Sequence, residues 1–175
     1  MTEEPLLTVH PPANSGQLSL IRAIDMPVAY YRYLFDQVGR PWKWFSRTLM
    51  SDEALAAIIH DDAVEVFVLY LDGSPAGYFE LDFRSSPDVE ILFIGLTTDN
   101  VGKGLGKFLL ANAVQRAWQG QDHQKNRRHK TARVHLQTCT LDHPRALRLY
   151  QKMGFEPFSQ EKTVLDIPET FMDNQ

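Results

Sequence analysis

Short apolar blocks set apart by polar turns dominate the first half of the chain. Leu18, Ile21 and Ile24 lie in a short candidate strand. After Pro27, residues 28–35 have helical length, and the run is stopped near Gly39-Arg40-Pro41. Asp52–Ile59 predicts a second helix, with Ser51 placed to cap its first free N–H groups. Residues 64–71 and 76–83 are β-rich runs joined by Asp72-Gly73-Ser74-Pro75, the chemistry of a hairpin turn. Residues 90–96 are apolar on both faces after Glu90, which predicts a central, buried strand. Leu110, Ala113, Val114 and Ala117 then keep the i, i+3, i+4, i+7 spacing of a helix with one face on a sheet.

Residues 131–141 predict the next strand. Pro144 near a helix start and Gly154 at its end bracket the last helix. Residues 156–167 predict one or two closing strands. The order β-α-α-β-β-β-α-β-α-β describes an α/β fold with a mixed sheet, antiparallel early and closed by a parallel crossover late. Residues 1–16, with Pro11-Pro12-Ala13-Asn14-Ser15-Gly16, carry no period and predict an irregular arm before a single domain over 17–175.

The turn from the strand 90–96 into the following helix reads Asp99-Asn100-Val101-Gly102-Lys103-Gly104-Leu105-Gly106-Lys107. The first N–H groups of a helix lack intrahelical partners, and the peptide dipoles add partial positive charge there. Phosphate is a natural guest. Glycines remove the Cβ atoms that would hold a phosphate away, and Lys103 and Lys107 add charge. Two phosphate-loop patterns fail on spacing. A Walker A loop needs glycine where Val101 stands and Ser or Thr where Phe108 stands, and a dinucleotide fingerprint needs its third glycine at Leu105 or Lys107.

What remains, Val101-Gly102-Lys103-Gly104-Leu105-Gly106, resembles the [QR]-x-x-G-x-[GA] loop of the GCN5-related N-acetyltransferases (GNAT), with Val101 in place of Gln or Arg. A second block, Asp142-His143-Pro144-Arg145-Ala146-Leu147-Arg148-Leu149-Tyr150-Gln151-Lys152-Met153-Gly154-Phe155, resembles that family's N-x-x-A-x-x-x-Y-x-x-x-G-F motif. His143 departs from the Asn, while Ala146, Tyr150, Gly154 and Phe155 match. The two motifs stand in the family's order, about 40 residues apart, with a predicted strand between them.

The resemblance implies a GNAT-like acyl-CoA N-acyltransferase fold whose fourth and fifth strands, here 90–96 and 131–141, splay apart to admit acetyl-CoA as co-substrate. It implies pyrophosphate contacts from the main chain of Val101 through Lys107, and contacts to the pantetheine arm around Gly95, Leu96, Thr97 and Thr98. A backbone N–H near Gly95 or Leu96 would hold the oxyanion.

Acyl transfer from a thioester to an amine also needs a base for the amine and a proton for the thiolate. Tyr150 matches the family's general acid, although its spacing also suits packing with Ala146 and Met153. Glu90, where a carboxylate must be solvated or face a polar pocket, matches the base of histone-type members. Glu80 competes, alternating with Tyr78 and Asp82 on the neighbouring strand. His143 stands where the family's Asn contacts cofactor, or caps the helix beside Asp142. Trp42, Trp44 and Phe45, with Pro41, lie where the family often walls its acceptor pocket, and core packing suits them equally.

Composition narrows the classes. A chain of 175 residues, 43% hydrophobic, can bury one sizeable core. A net charge of −4 gives no footprint for nucleic acid, and the basic cluster Lys125–Lys130 reads as a solvated loop. One cysteine rules out an intramolecular disulfide, and no run reaches membrane-spanning length or resembles a signal peptide, so a cytoplasmic location is expected. Cys139, on the predicted fifth strand, reads as a small buried hydrophobe before an acyl carrier. His123, His129 and His135 show no metal-ligand spacing, so no metal is expected.

The sequence therefore points to an acetyl-CoA-dependent N-acetyltransferase acting on a small-molecule or peptide amine by direct attack in a ternary complex. The rivals are a non-catalytic acyl-CoA-binding regulatory module, to which Val101 and His143 give weight, and an acyltransferase using a longer acyl donor or a hydroxyl acceptor. A homodimer is a family-level expectation. The acceptor amine is not legible.

Overall fold

A computed structural model describes residues 1–8, 10–13, 15–120 and 130–171. Its elements are β1 (Leu18–Ala23), α1 (Val28–Gly39), α2 (Asp52–Ile59), β2 (Val64–Leu71), β3 (Ser74–Asp82), β4 (Asp88–Leu96), α3 (Leu105–Gln119), β5 (Arg133–Leu136) and α4 (Ala146–Lys152), with a 3-10 turn at Arg40–Trp42 after α1. The sheet runs β1-β2-β3-β4-β5, antiparallel until β4, which pairs with β5 in parallel. This is the mixed α/β architecture expected from the periodicities.

Local chemistry explains the elements. β2, Val-Glu-Val-Phe-Val-Leu-Tyr-Leu, is apolar at every position but Glu65, with three β-branched valines and two aromatics. It turns into β3 through Asp72 and Gly73, both at positive φ, the two-residue geometry that matches strand twist. In α2 the Ala54 N–H donates to Ser51 Oγ at 3.2 Å, the predicted cap. The parallel β4-to-β5 step needs a crossover, and α3 supplies it.

The sheet separates two cores. On one face α3 buries Leu109, Leu110, Ala113, Val114 and Ala117 against Phe79, Leu81, Ile91 and Val134. Each buried leucine there contributes roughly 1.5–3 kcal/mol. On the other face α1 and α2 bury Tyr31, Leu34, Phe35, Val38 and Leu55 against Val66, Val68 and Tyr78.

Two strand expectations change. The fifth strand is shorter than 131–141, because it pairs with β4 only from Asp88↔Arg133 to Ile91↔Leu136 before the two diverge. The closing strands at 156–167 do not form; that segment has no helix or strand, with Phe158, Val164 and Leu165 exposed. The far edge of β5 is already engaged. Val134 N donates to Met1 O at 2.9 Å, and Met1 N donates to Val134 O at 3.0 Å. The rest of the described arm forms no helix or strand, and Pro12 comes to rest near Gly104.

No helix among the described residues is long and apolar enough to cross a membrane. Residues 125–129 of the basic cluster, with His123, lie outside the described residues.

Candidate active site

Where β4 and β5 part, a cleft of about 960 Å³ opens. Its existence changes the reading of β4: only Val89 and Ile91 are buried, whereas residues 92–96 are half-buried because they form a wall of the cleft rather than a sealed core. A β-bulge bends the same strand. Glu80 pairs with Phe93 and Leu81 with Ile91, which leaves Leu92 without a partner on β3.

One wall is the glycine turn. Gly102 and Gly104 take φ of +86° and +80°, the left-handed region that glycine enters without strain. Gly104 precedes α3, and no side chain among the described residues caps the helix start, which leaves its first N–H groups open to an acceptor. Val101, Gly102, Gly104, Gly106 and Lys107 all line the cleft. Lys103 instead donates to Asn100 Oδ1 at 3.1 Å, and Leu105 is buried in the α3 core. Thr97 Oγ1 accepts from Asn100 Nδ2 at 2.9 Å and holds the start of the turn; neither Thr97 nor Thr98 lines the cleft.

α4 and the loop before it form the opposite wall. Tyr150 lines the cleft with its ring edge-on to Phe155, and its hydroxyl makes no hydrogen bond among the described residues. Burial, helped by nearby Asp142, pushes the phenol up to about 12. His143 also lines the cleft, but its Nδ1 accepts from the Arg145 N–H at 3.0 Å within the turn that leads into α4. The cap position itself is Arg145, with no side-chain cap bond among the described residues, so His143 does not cap the helix. Its ring meets Trp42 edge-on at 5.2 Å, a contact between the segment after α1 and the loop before α4. Cys139 is exposed in the cleft rather than buried on a strand, because β5 has ended by then and the Cys139 N–H turns to Asp142.

The two candidate bases separate. Glu90 lines the cleft and accepts from Gln137 Nε2 at 3.2 Å. Glu80 shares that face of the sheet but is fully buried and does not reach the cleft. It accepts from Arg47 Nη2 at 2.6 Å and from the Tyr31 hydroxyl. Burial pushes its carboxyl above the ordinary range, partly countered by Arg47 and Tyr31. Trp42 and Trp44 line the cleft, whereas Phe45 packs away from it on Phe171.

Several residues that sequence reasoning passed over also line the cleft: Phe93, Gln137, Asp142 and Leu149. Leu149, next to Tyr150, carried a signal in its position; Gln137 carried none. Among the described residues no three His, Cys, Asp or Glu side chains gather where they could hold a metal ion.

A splayed parallel strand pair, with a free helix N-terminus on one wall and a phenol on the other, defines the acyltransferase class the two motifs resemble. The sequence model of the acetyltransferase (GNAT) family matches residues 29–155, and the chain belongs to that family.

Solved structures share its fold. An aminoglycoside acetyltransferase from an uncultured soil metagenomic sample, in complex with sisomicin, is 16% identical at a TM-score of 0.62, covering 85% of this chain and 97% of that one. An aminoglycoside N-acetyltransferase in complex with CoA is 19% identical at 0.60, covering 88% and 97%. A ribosomal-protein-alanine N-acetyltransferase from Brucella melitensis biovar Abortus 2308 is 13% identical at 0.56, covering 86% and 100%. No curated protein sequence matches the chain.

Proposed function

We propose that the protein binds acetyl-CoA in the β4–β5 cleft and transfers its acetyl group to an amine by direct attack. The observation that carries this reading is that one cleft brings together the uncapped N-terminus of α3, the bare backbone of Gly102, Gly104 and Gly106, and the Tyr150 phenol. The α3 N–H groups and Lys107 would take the pyrophosphate. Val101 offers no side-chain donor there, so apart from Lys107 binding rests on main chain. Gly95 and Leu96 would offer backbone to the pantetheine arm and the oxyanion.

Glu90, open to the cleft, receives the proton lost by the amine, and Gln137 holds its orientation. Tyr150 carries its proton at neutral pH, as a phenol at its ordinary value of 10.0 would, and burial holds that proton further, up to about 12; it enters the reaction as a donor to the departing thiolate. The amine nitrogen bonds to the acetyl carbon and the C–S bond breaks. CoA leaves with a proton from Tyr150, while Glu90 holds the one shed by nitrogen. One protein of the same fold, an aminoglycoside acetyltransferase, is solved in complex with sisomicin, which supports an amine acceptor.

The test joins isothermal titration with acetyl-CoA to initial rates on sisomicin, spermidine, tyramine and a peptide with N-terminal alanine. We expect micromolar-range binding and turnover of at least one amine, with kcat lowered about 100-fold in Tyr150→Phe. Absence of binding sinks the reading. Binding without turnover of any amine, or of a hydroxyl or longer-chain donor control, replaces it with the regulatory module.

A further inference from the structure

Arg47 stands in the segment between the 3-10 turn and α2, yet only 6% of it is exposed. Its Nη2 bonds Glu80 on β3, and its guanidinium carbon lies 5.4 Å from the centre of the Phe93 ring on β4. Through Glu80 it is also tied to Tyr31 of α1. Three residues earlier, Trp44 lies 5.2 Å from the same Phe93 ring. Neither Arg47 nor Glu80 reaches the cleft, whereas Trp44 and Phe93 line it.

The location of that pair within the cleft follows from the two cores. Trp44 and Phe93 pack with the α1–α2 core, on the opposite face of the sheet from α3 and its glycine turn. A donor anchored at α3 therefore leaves the Trp44–Phe93 side for the acceptor.

As a stabilising device the buried pair is poor. Charges lose their hydration on burial, and an apolar replacement of like volume is often as stable. Here Arg47 Nε is also buried with no hydrogen-bond partner among the described residues. What a guanidinium supplies and a methyl cannot is one fixed orientation, set by its planar fork.

We propose that Arg47 and Glu80 are positioning residues, which hold Trp44 and Phe93 side by side as the acceptor wall of the cleft. The kinetic part of this proposal rests on the acetyl-transfer reading; the spectroscopic part does not.

The experiment uses the full chain as Arg47→Lys, Arg47→Met and the double variant Arg47→Met/Glu80→Gln, which removes both charges and so leaves no lone buried anion. Acceptor and acetyl-CoA KM are measured with the best amine of the panel above. In parallel, Trp44 emission and acrylamide quenching are read in a Trp42→Phe/Trp118→Phe background, where Trp44 is the sole tryptophan.

We expect the double variant to unfold cooperatively in urea, to raise acceptor KM about tenfold with acetyl-CoA KM held within about twofold, and to expose Trp44 to quencher. Arg47→Lys, which keeps the charge and loses the fork, should fall between. Unchanged Trp44 quenching in the double variant, or equal rises in both KM values, overturns the proposal. If the double variant does not fold, the same readouts on Arg47→Lys decide. A wild-type protein that turns over no amine defeats the acetyl-transfer reading alone and leaves Trp44 to judge this one.

Discussion

Gly95 is where Val38 of α1 presses directly on β4, and replacing it with alanine tests how tightly the cleft wall is packed. A Cβ built at Gly95 lies 2.4 Å from Val38 Cγ1, more than 1 Å short of ordinary carbon contact. Val38 cannot turn away. It is fully buried in α1, and a β-branched side chain in a helix has one strongly preferred rotamer. The helix and strand must separate instead, and overpacking of this kind costs about 1–3 kcal/mol.

Taking about 2 kcal/mol for Gly95→Ala, a chain of this length should lose about 4–8 °C in Tm. Val38→Ala removes two buried methyl groups and should cost about 2 kcal/mol, transfer and cavity together. In the double variant the new methyl occupies the vacated space. The loss should then stay near about 2 kcal/mol instead of the additive value of about 4, a coupling of about 2 kcal/mol. Urea unfolding followed by far-ultraviolet circular dichroism measures all three. Gly95→Ala within about 0.5 kcal/mol of wild type, or an additive double variant, refutes the packing argument.

The remaining predictions concern the two cleft walls. A Cβ at Gly106 meets Leu149 and Leu96 at ordinary distances of 3.7 and 3.8 Å, and alanine is the better helix former. Gly106→Ala should therefore gain about 0.5–1 kcal/mol in stability while weakening acetyl-CoA binding about fivefold or more, read by urea unfolding and calorimetry. Unchanged affinity would remove the glycine cradle from the reading.

For Tyr150, the folded protein holds the phenol proton to about 12 against an ordinary value of 10.0. The resulting stability is fully present below pH 10 and lost as pH rises through about 12. A 295 nm difference titration of wild type against Tyr150→Phe should show one step near 12, and a step near 10 would contradict the burial argument.

Much of the fold could be read from local order, because helix caps, hairpin turns and periodic faces are decided within a few residues. Ser51, the Asp72-Gly73 turn and the α3 face all behave as their neighbours dictate. The closing strands failed because alternation says only that a segment can pair, and the edge of β5 is engaged by Met1. Glu80 and Glu90 could not be separated by spacing either. They share one face of the sheet, and the difference lies in Arg47, a residue 33 positions before Glu80 that no motif singled out.

By itself the sequence determined which backbone would lie bare at the start of α3 and which phenol would follow on α4, since glycine positions and helical spacing are properties of the chain. Tertiary structure decided what those groups face. Parting of β4 from β5 turned an apolar strand into a wall, sent Cys139 into the cleft, and left Glu90 open while Arg47 sealed Glu80. Exposure and ion pairing depend on which segments meet, and residues far apart in sequence settle that only when the chain has closed.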